Sequence, residues 1–322
     1  MEEIVRLIRE DLDKLEKSID RLLTTRISFI REVVHHLIKS GGKRIRPILV
    51  ILSSRLCGCF DDQPLSYAAI VEFIHTATLL HDDVVDNAET RRGAQTANTV
   101  WGNESSVLVG DFLFSKSFDL MVSDNKAEIL RVLSKATTDL AEGEILELLK
   151  TSDIDTTEEE YYEVILGKTA VLLSAACEIG ALLGNAEEKK RRALHDFGYH
   201  IGMAFQLTDD LLDYTSTDKT LGKDAGRDLK EGKVTLPLIN ALKSATEEEK
   251  ASIGKGLTKK RVTTKDFRNV KKVIEKYGGI AYTAQVSKKH IEDAKALLNI
   301  FPASPYKKAL LDLADYIVAR ES

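Results

Sequence analysis

Six aspartates in two groups of three carry the clearest chemistry in this 322-residue chain. The first group reads His81-Asp82-Asp83-Val84-Val85-Asp86 and the second Thr208-Asp209-Asp210-Leu211-Leu212-Asp213. On a helix, residues i and i+4 share a face, so Asp82 pairs with Asp86 and Asp209 with Asp213. Two uncompensated like charges ~4 Å apart, at an effective dielectric near 20, cost about 4 kcal/mol, so each group needs a partner of opposite sign. One such group is as readily an acidic helix end in water. Two, each following an unusually apolar stretch, argue against that, and facing each other they would line the mouth of a cavity. No Cys or His ligand set adjoins them, and carboxylates alone suit hard divalent cations; Mg²⁺ binds through one or two carboxylates plus phosphates. The alternating acidic spacing and Gly of a calcium loop are absent. The ligand implied is a polyphosphate held through metal ions.

The elements that must hold these residues are helices. Apolar residues recur at intervals of three and four, as in Ile4, Leu7, Ile8, Leu12, Leu15, Ile19 and Leu22. Further helices are predicted over roughly 26–39, 45–58, 64–87, 104–122, 126–150, 158–184, 188–216, 233–245, 264–277, 279–299 and 304–320, with breaks at Gly, Asn and Ser clusters. No strand alternation competes. With only 19 Gly and 5 Pro there are few turn formers, which favours long helices. The stretches Ile70–Leu80 and Ile201–Leu207 are apolar nearly all round and belong in the middle of a bundle. No repeat, low-complexity tract or linker interrupts the chain, so residues 1–322 are expected to form one all-α domain.

A formal charge of −5 lends no support to nucleic-acid binding. Cys57, Cys59 and Cys177 form neither a CxxC pair nor a zinc set, which fits a reducing cytoplasm. The acidic, amphipathic N-terminus does not read as a signal peptide, and no run of ~18 uncharged apolar residues is present to span a membrane. Against the acidic groups stand two basic ones. Gly41-Gly42-Lys43-Arg44-Ile45-Arg46-Pro47 sets three cations in a glycine-led loop at a helix start, and Arg91-Arg92-Gly93 follows the first aspartates. Backbone amides at a helix start and forked guanidinium groups both suit phosphate. Alone, each would more often be a solvated face; alternating with carboxylates, they fit recognition of two diphosphates, one through metal and one directly.

The motifs GGKRIRP, LLHDDVVDNAETRRG, GKT at 167–169, FQLTDDLLDY, LGKD and EGKVTLP, with SVLVGDFLFSKSF at 106–118, resemble the trans-type polyprenyl diphosphate synthases in order and spacing over residues 40–240. The resemblance implies an α-helical bundle around a deep central cavity, usually a homodimer, that joins an allylic diphosphate to isopentenyl diphosphate head to tail and releases diphosphate. Carried over, Asp82 and Asp86 would hold two Mg²⁺ ions and Asp209 a third, with Asp83, Asp210 and Asp213 behind them. Arg91, Lys168, Thr169, Gln206, Lys223 and Lys233 would bind the allylic diphosphate, and Lys43, Arg46, His75 and Arg92 isopentenyl diphosphate. His75 by itself would be an ordinary core histidine. Lys168 and Arg91 would act with the metal ions on the leaving group, and the departing diphosphate is the expected base.

The growing product should run along the helix before Asp82, passing about three residues per isoprene unit at 1.5 Å rise per residue. Ala77 and Thr78, then Ile74, would set its length. Short-chain family members carry an aromatic near the first two positions, which are small here, so the expected product is about C30 to C50, with C40 favoured. A geranylgeranyl diphosphate synthase and a non-catalytic partner subunit of a heteromeric synthase are the alternatives. A terpene cyclase fits less well, having Asp213 and Thr217 where its second metal motif needs Ser or Thr and then Glu. A phosphohydrolase using His75, His81 and Asp82 leaves Asp209–Asp213 unexplained.

Overall fold

A computed structural model describes residues 1–39, 41–215, 226–257 and 262–319. In chain order the helices are α1 (Glu2–Leu7), α2 (Arg9–Leu22), α3 (Ser28–Lys39), α4 (Ile45–Leu56), α5 (Gln63–Val85), α6 (Ala97–Trp101), α7 (Asn103–Ser123), α8 (Ala127–Lys150), α9 (Glu158–Ile165), α10 (Val171–Leu183), α11 (Glu188–Thr215), α12 (Arg227–Lys230), α13 (Leu236–Leu242), α14 (Glu247–Leu257), α15 (Thr264–Lys276), α16 (Gly279–Leu297) and α17 (Pro305–Val318). The all-α fold class holds. Among the described residues the strands are confined to a hairpin of two-residue strands, β1 (Thr90–Arg91) and β2 (Ala94–Gln95), paired antiparallel.

The chain forms two compact units. The first comprises the described residues of Met1–Thr137, Ala175–His195 and Phe301–Leu310, and the second the remaining described residues. In the first unit α5 packs against α2, α4 and α7. Its 23 residues start at a Pro near the N-terminus and bury Leu65, Tyr67, Ile70, Val71, Phe73, Ile74, Ala77 and Leu80, which is why the sequence there is apolar all round. Glu72, buried on the same helix, is neutralised by Arg44 at 2.6 Å. The first predicted helix is broken at Ile8, whose φ of −115° and ψ of 24° leave the helical basin.

In the second unit α13 packs on α15 and α16, and Tyr161, Ile165, Met203, Leu207, Tyr214, Leu236, Ile239 and Ile274 share one core. α9 begins with a reciprocal cap. The Glu160 N–H donates to Thr157 Oγ1 (3.2 Å), and the Thr157 N–H donates to Glu160 Oε2 (2.9 Å). The helix predicted over 158–184 is continuous, but Leu166–Ala170 are wound as a π-helix. The stretch Glu158–Leu183 is long and apolar enough to cross a bilayer, yet 78% of its most apolar window is buried, as in a core helix. α6, α12 and α14 were not legible in the periodicity; α14, EEEKASIGKGL, buries only Ile253, Gly256 and Leu257.

Candidate active site

Asp82 and Asp86 sit at the end of α5. The helix closes at Val85, and the Asp86 N–H donates to the Asp82 carbonyl at 2.8 Å, which keeps both side chains on one face. Both are partly exposed, whereas Asp83 is fully buried. Asp83 Oδ1 accepts from Arg91 Nε (2.9 Å) and Nη2 (2.8 Å), so the buried charge is paired. Arg91 is the last residue of β1, and its neighbours Arg92 (φ 53°) and Gly93 (φ 78°) make a two-residue turn with both residues left-handed. His36 Nε2 donates to the Gln95 carbonyl on β2 at 2.7 Å, and Thr96 Oγ1 donates to the Ala88 carbonyl at 2.6 Å; both hold the hairpin down.

Of the basic residues expected to take isopentenyl diphosphate, Arg46, His75 and Arg92 come together in this unit, and the exposed Lys43 lies on the loop that Arg92 touches. Arg46 Nη1 donates to His75 Nε2 at 3.1 Å. A Cβ on Gly42 would lie 2.6 Å from Arg92 Nη1, so the Arg92 guanidinium rests on the loop that carries Lys43. Burial, and then the guanidinium groups of Arg46, Arg92, Arg91 and Arg44, hold the His75 imidazole well below its usual range, leaving it neutral. Arg44 stands apart: it takes the left-handed position before α4 and pairs with Glu72 (2.6 Å) and Glu16 (3.4 Å), a structural role. Of the length-setting positions, Ala77 and Ile74 are fully buried, and the half-buried Thr78 donates its hydroxyl to the His75 carbonyl at 2.8 Å.

The remaining site residues belong to the second unit. Asp209 is partly exposed and Asp210 buried on α11. Asp210 accepts from Tyr161 Oη (2.5 Å) and Gln206 Nε2 (2.8 Å), and Thr169 Oγ1 donates to Gln206 Oε1 (2.8 Å), forming one chain of bonds. Burial pushes the Asp210 carboxyl up to about 7 despite those hydrogen bonds. Asp213 accepts from the backbone N–H groups of Gly226, Arg227 and Asp228 at 3.1, 2.9 and 3.2 Å, fixing the start of α12. Lys168 donates to Glu144 (2.9 Å) and Glu147 (2.5 Å), and Lys233 to Glu231 (2.7 Å). Lys168, Gln206, Asp210 and Lys233 line one cavity with Glu147 and Asp228. Lys223, also expected on the allylic diphosphate, lies outside the described residues.

Glu144, Glu147 and Tyr161 were missed by the sequence reading, where they look like ordinary helix residues. The signal lay in Gly143 and Gly167. A Cβ on Gly143 would meet Lys168 N at 2.6 Å and Gly167 Cα at 2.8 Å, so α8 touches the π-helical turn backbone to backbone and delivers its carboxylates to Lys168. Among the described residues no three His, Cys, Asp or Glu side chains gather into a closed metal cage. Asp82 and Asp86 in the first unit, and Asp209 in the second, each offer oxygen donors only, the donor type that Mg²⁺ prefers.

The polyprenyl synthetase family profile matches residues 27–276. Octaprenyl diphosphate synthase of Escherichia coli strain K12 is 38% identical over 321 residues, covering 100% of this chain and 99% of that protein. Geranylgeranyl diphosphate synthase of Methanosarcina mazei is 35% identical over 320 residues, covering 98% and 97%. The crystal structure of a polyprenyl synthase from Caulobacter crescentus, complexed with calcium and isoprenyl diphosphate, superposes with a TM-score of 0.94 at 41% identity, covering 100% and 98%.

Proposed function

Because the chain belongs to the polyprenyl synthetase family, we propose that it is a magnesium-dependent trans-prenyltransferase that adds isopentenyl diphosphate repeatedly to an allylic diphosphate, with a product of C30 to C50 and C40 favoured. The observation that carries this reading is the gathering of Arg46, His75 and Arg92, with Lys43 on the adjoining loop, in the unit where α5 ends in Asp82 and Asp86. A metal-free cationic site beside a carboxylate pair suits two diphosphates of different fates. The small residues Ala77 and Thr78 and the octaprenyl relative support a long product, while the geranylgeranyl relative keeps a short one as the second reading.

In this reading Asp82, Asp86 and Asp209 would hold three Mg²⁺ ions, which would supply Lewis-acid assistance to departure of the diphosphate. Lys168, Lys233, Lys223 and Arg91 add cationic donors to the leaving oxygens, and Thr169 and Gln206 orient them. The allylic C–O bond breaks with its electron pair going to diphosphate. Arg46, Arg92 and Lys43 hold isopentenyl diphosphate so that the electrons of its double bond form the new C–C bond to the allylic C1; the departing diphosphate then takes a proton from C2 of the isopentenyl unit, and the electron pair of that C–H bond becomes the new double bond. No side chain does the bond-making; positioning and charge do. In this reading the two units, whose segments alternate along the chain, work as one domain of residues 1–322. The exposed Ile145, Leu148 and Leu149 on one face of α8 support assembly as a homodimer, and the free thiols of Cys57, Cys59 and Cys177 fit a cytoplasmic setting.

The test is incubation of the pure protein with farnesyl diphosphate, labelled isopentenyl diphosphate and Mg²⁺, followed by chromatography of the dephosphorylated products. Labelled chains of C30 or longer are expected, and chelation with EDTA abolishes them until Mg²⁺ is restored. A C20 product alone supports the geranylgeranyl reading, and no labelled product refutes both.

A further inference from the structure

Lys168 and Lys233 stand 65 positions apart in sequence, and neither is carried by an ordinary α-helix. Lys168 lies in the five-residue π-helical turn, and Lys233 follows the left-handed Gly232 in the segment that leads into α13. Each has a carboxylate of its own: Glu144 at 2.9 Å from Lys168, and Glu231 at 2.7 Å from Lys233. Glu147 is the carboxylate they share, 2.5 Å from Lys168 Nζ and 3.8 Å from Lys233 Nζ. It stands on the 24-residue α8, whose backbone is fixed by its own ladder of hydrogen bonds. All three side chains are largely covered, at 18–21% exposure, so the contacts are shielded from bulk water.

We propose that Glu147 is a positioning residue that ties Lys168 to Lys233 and so presets the pair of ammonium groups that receives the allylic diphosphate. This rests on the prenyltransferase reading. A free lysine side chain loses rotamer entropy when it is ordered, and Glu147 makes that ordering precede substrate binding. Removing Glu147 orphans neither lysine, since Glu144 and Glu231 remain, but it cuts the tie between them. Charge alone works the other way: losing a carboxylate beside two lysines makes the place more attractive to a diphosphate. The sign of the effect therefore separates positioning from competition.

The experiment compares wild type, Glu147→Gln, Glu147→Asp and Glu144→Gln, each first checked by its thermal unfolding temperature, with Glu147→Ser as substitute if the Gln variant does not fold. In Glu147→Gln the KM for the allylic diphosphate rises roughly tenfold, as expected when a hydrogen bond to a charged group is lost. The KM for isopentenyl diphosphate stays within about twofold, Glu147→Asp recovers most of the loss, and Glu144→Gln, which leaves the tie intact, has the smaller effect. Calorimetric titration with inorganic pyrophosphate and Mg²⁺ shows the same roughly tenfold loss of affinity without turnover. An unchanged or lowered allylic KM in Glu147→Gln, or equal rises for both substrates, overturns the proposal. A wild-type protein that binds magnesium pyrophosphate and loses that binding in Glu147→Gln, yet makes no prenyl product, sinks the function reading and leaves the positioning role standing. If wild type binds no pyrophosphate, the proposal is also overturned.

Discussion

Gly143→Ala places one methyl group where the structure has no room. Its Cβ would lie 2.6 Å from Lys168 N, 2.7 Å from Gly167 C and 2.8 Å from Gly167 Cα, all backbone atoms that cannot rotate away. Normal van der Waals separation requires the π-helical turn and α8 to part by nearly 1 Å. Overpacking of this kind costs ~1–3 kcal/mol. The better helix propensity of Ala offsets about 1 kcal/mol of that, so the net destabilisation is expected at about 0–2 kcal/mol. Function is more sensitive than stability. A ~1 Å shift carries Lys168 away from its partners, and displacement on that scale can lower turnover by about 100-fold. Gly254→Ala on α14 is the control: the nearest atom to its Cβ would be Ile154 Cδ1 at 3.4 Å, the far end of a flexible side chain. It should be neutral or stabilising by up to ~1 kcal/mol, with activity intact. Thermal unfolding and steady-state kinetics with the allylic substrate read both. Wild-type kinetics and unfolding temperature in Gly143→Ala would show that the close approach of the two glycines does not set the position of Lys168.

Ala77→Phe should shorten the product chain, as chromatography of dephosphorylated products would show; an unchanged length means that the product does not pass this face. Because Ala77 is fully buried, the same variant should also lose ~1–3 kcal/mol of stability. Glu72→Ala leaves the largely covered Arg44 with only longer contacts, to Glu16 (3.4 Å) and the Ile38 carbonyl (3.3 Å), and a loss of roughly 3 kcal/mol in urea unfolding is expected; under 1 kcal/mol would mean the pair is solvated. His200 and His290 share a hydrogen bond between their Nδ1 atoms at 2.9 Å, which needs at least one neutral ring. Burial, and then His200, pull His290 down to about 4, against the opposing pull of Asp293. The fold therefore refuses a proton that the unfolded chain accepts near 6.5, and stability is lost as pH falls from about 6.5 toward 4. The drop in unfolding temperature between pH 7 and pH 5 should be smaller in His290→Gln than in wild type; an equal drop removes His290 from the acid response.

The helices and the two aspartate pairs could be read from the chain because both depend on spacing along one element. Periodic apolar residues mark a buried face wherever they occur, and Asp82 with Asp86 needs only four residues of regular helix. The hairpin escaped because strands of two residues are too short to alternate, although Arg92-Gly93 is a sequence suited to its turn. α14 escaped because a helix that buries three residues carries almost no periodic signal. The three cations within 43–46 look alike in sequence; only packing sends Arg44 to Glu72 and Arg46 to His75. The roles of Glu144 and Glu147 were likewise hidden, since their partner Lys168 lies more than twenty positions away and meets them only because two glycines let their backbones touch. Local periodicity is a property of a segment and is written in it. Which charge finds which partner is settled by the approach of segments distant in the chain, and that exists only once the chain has folded.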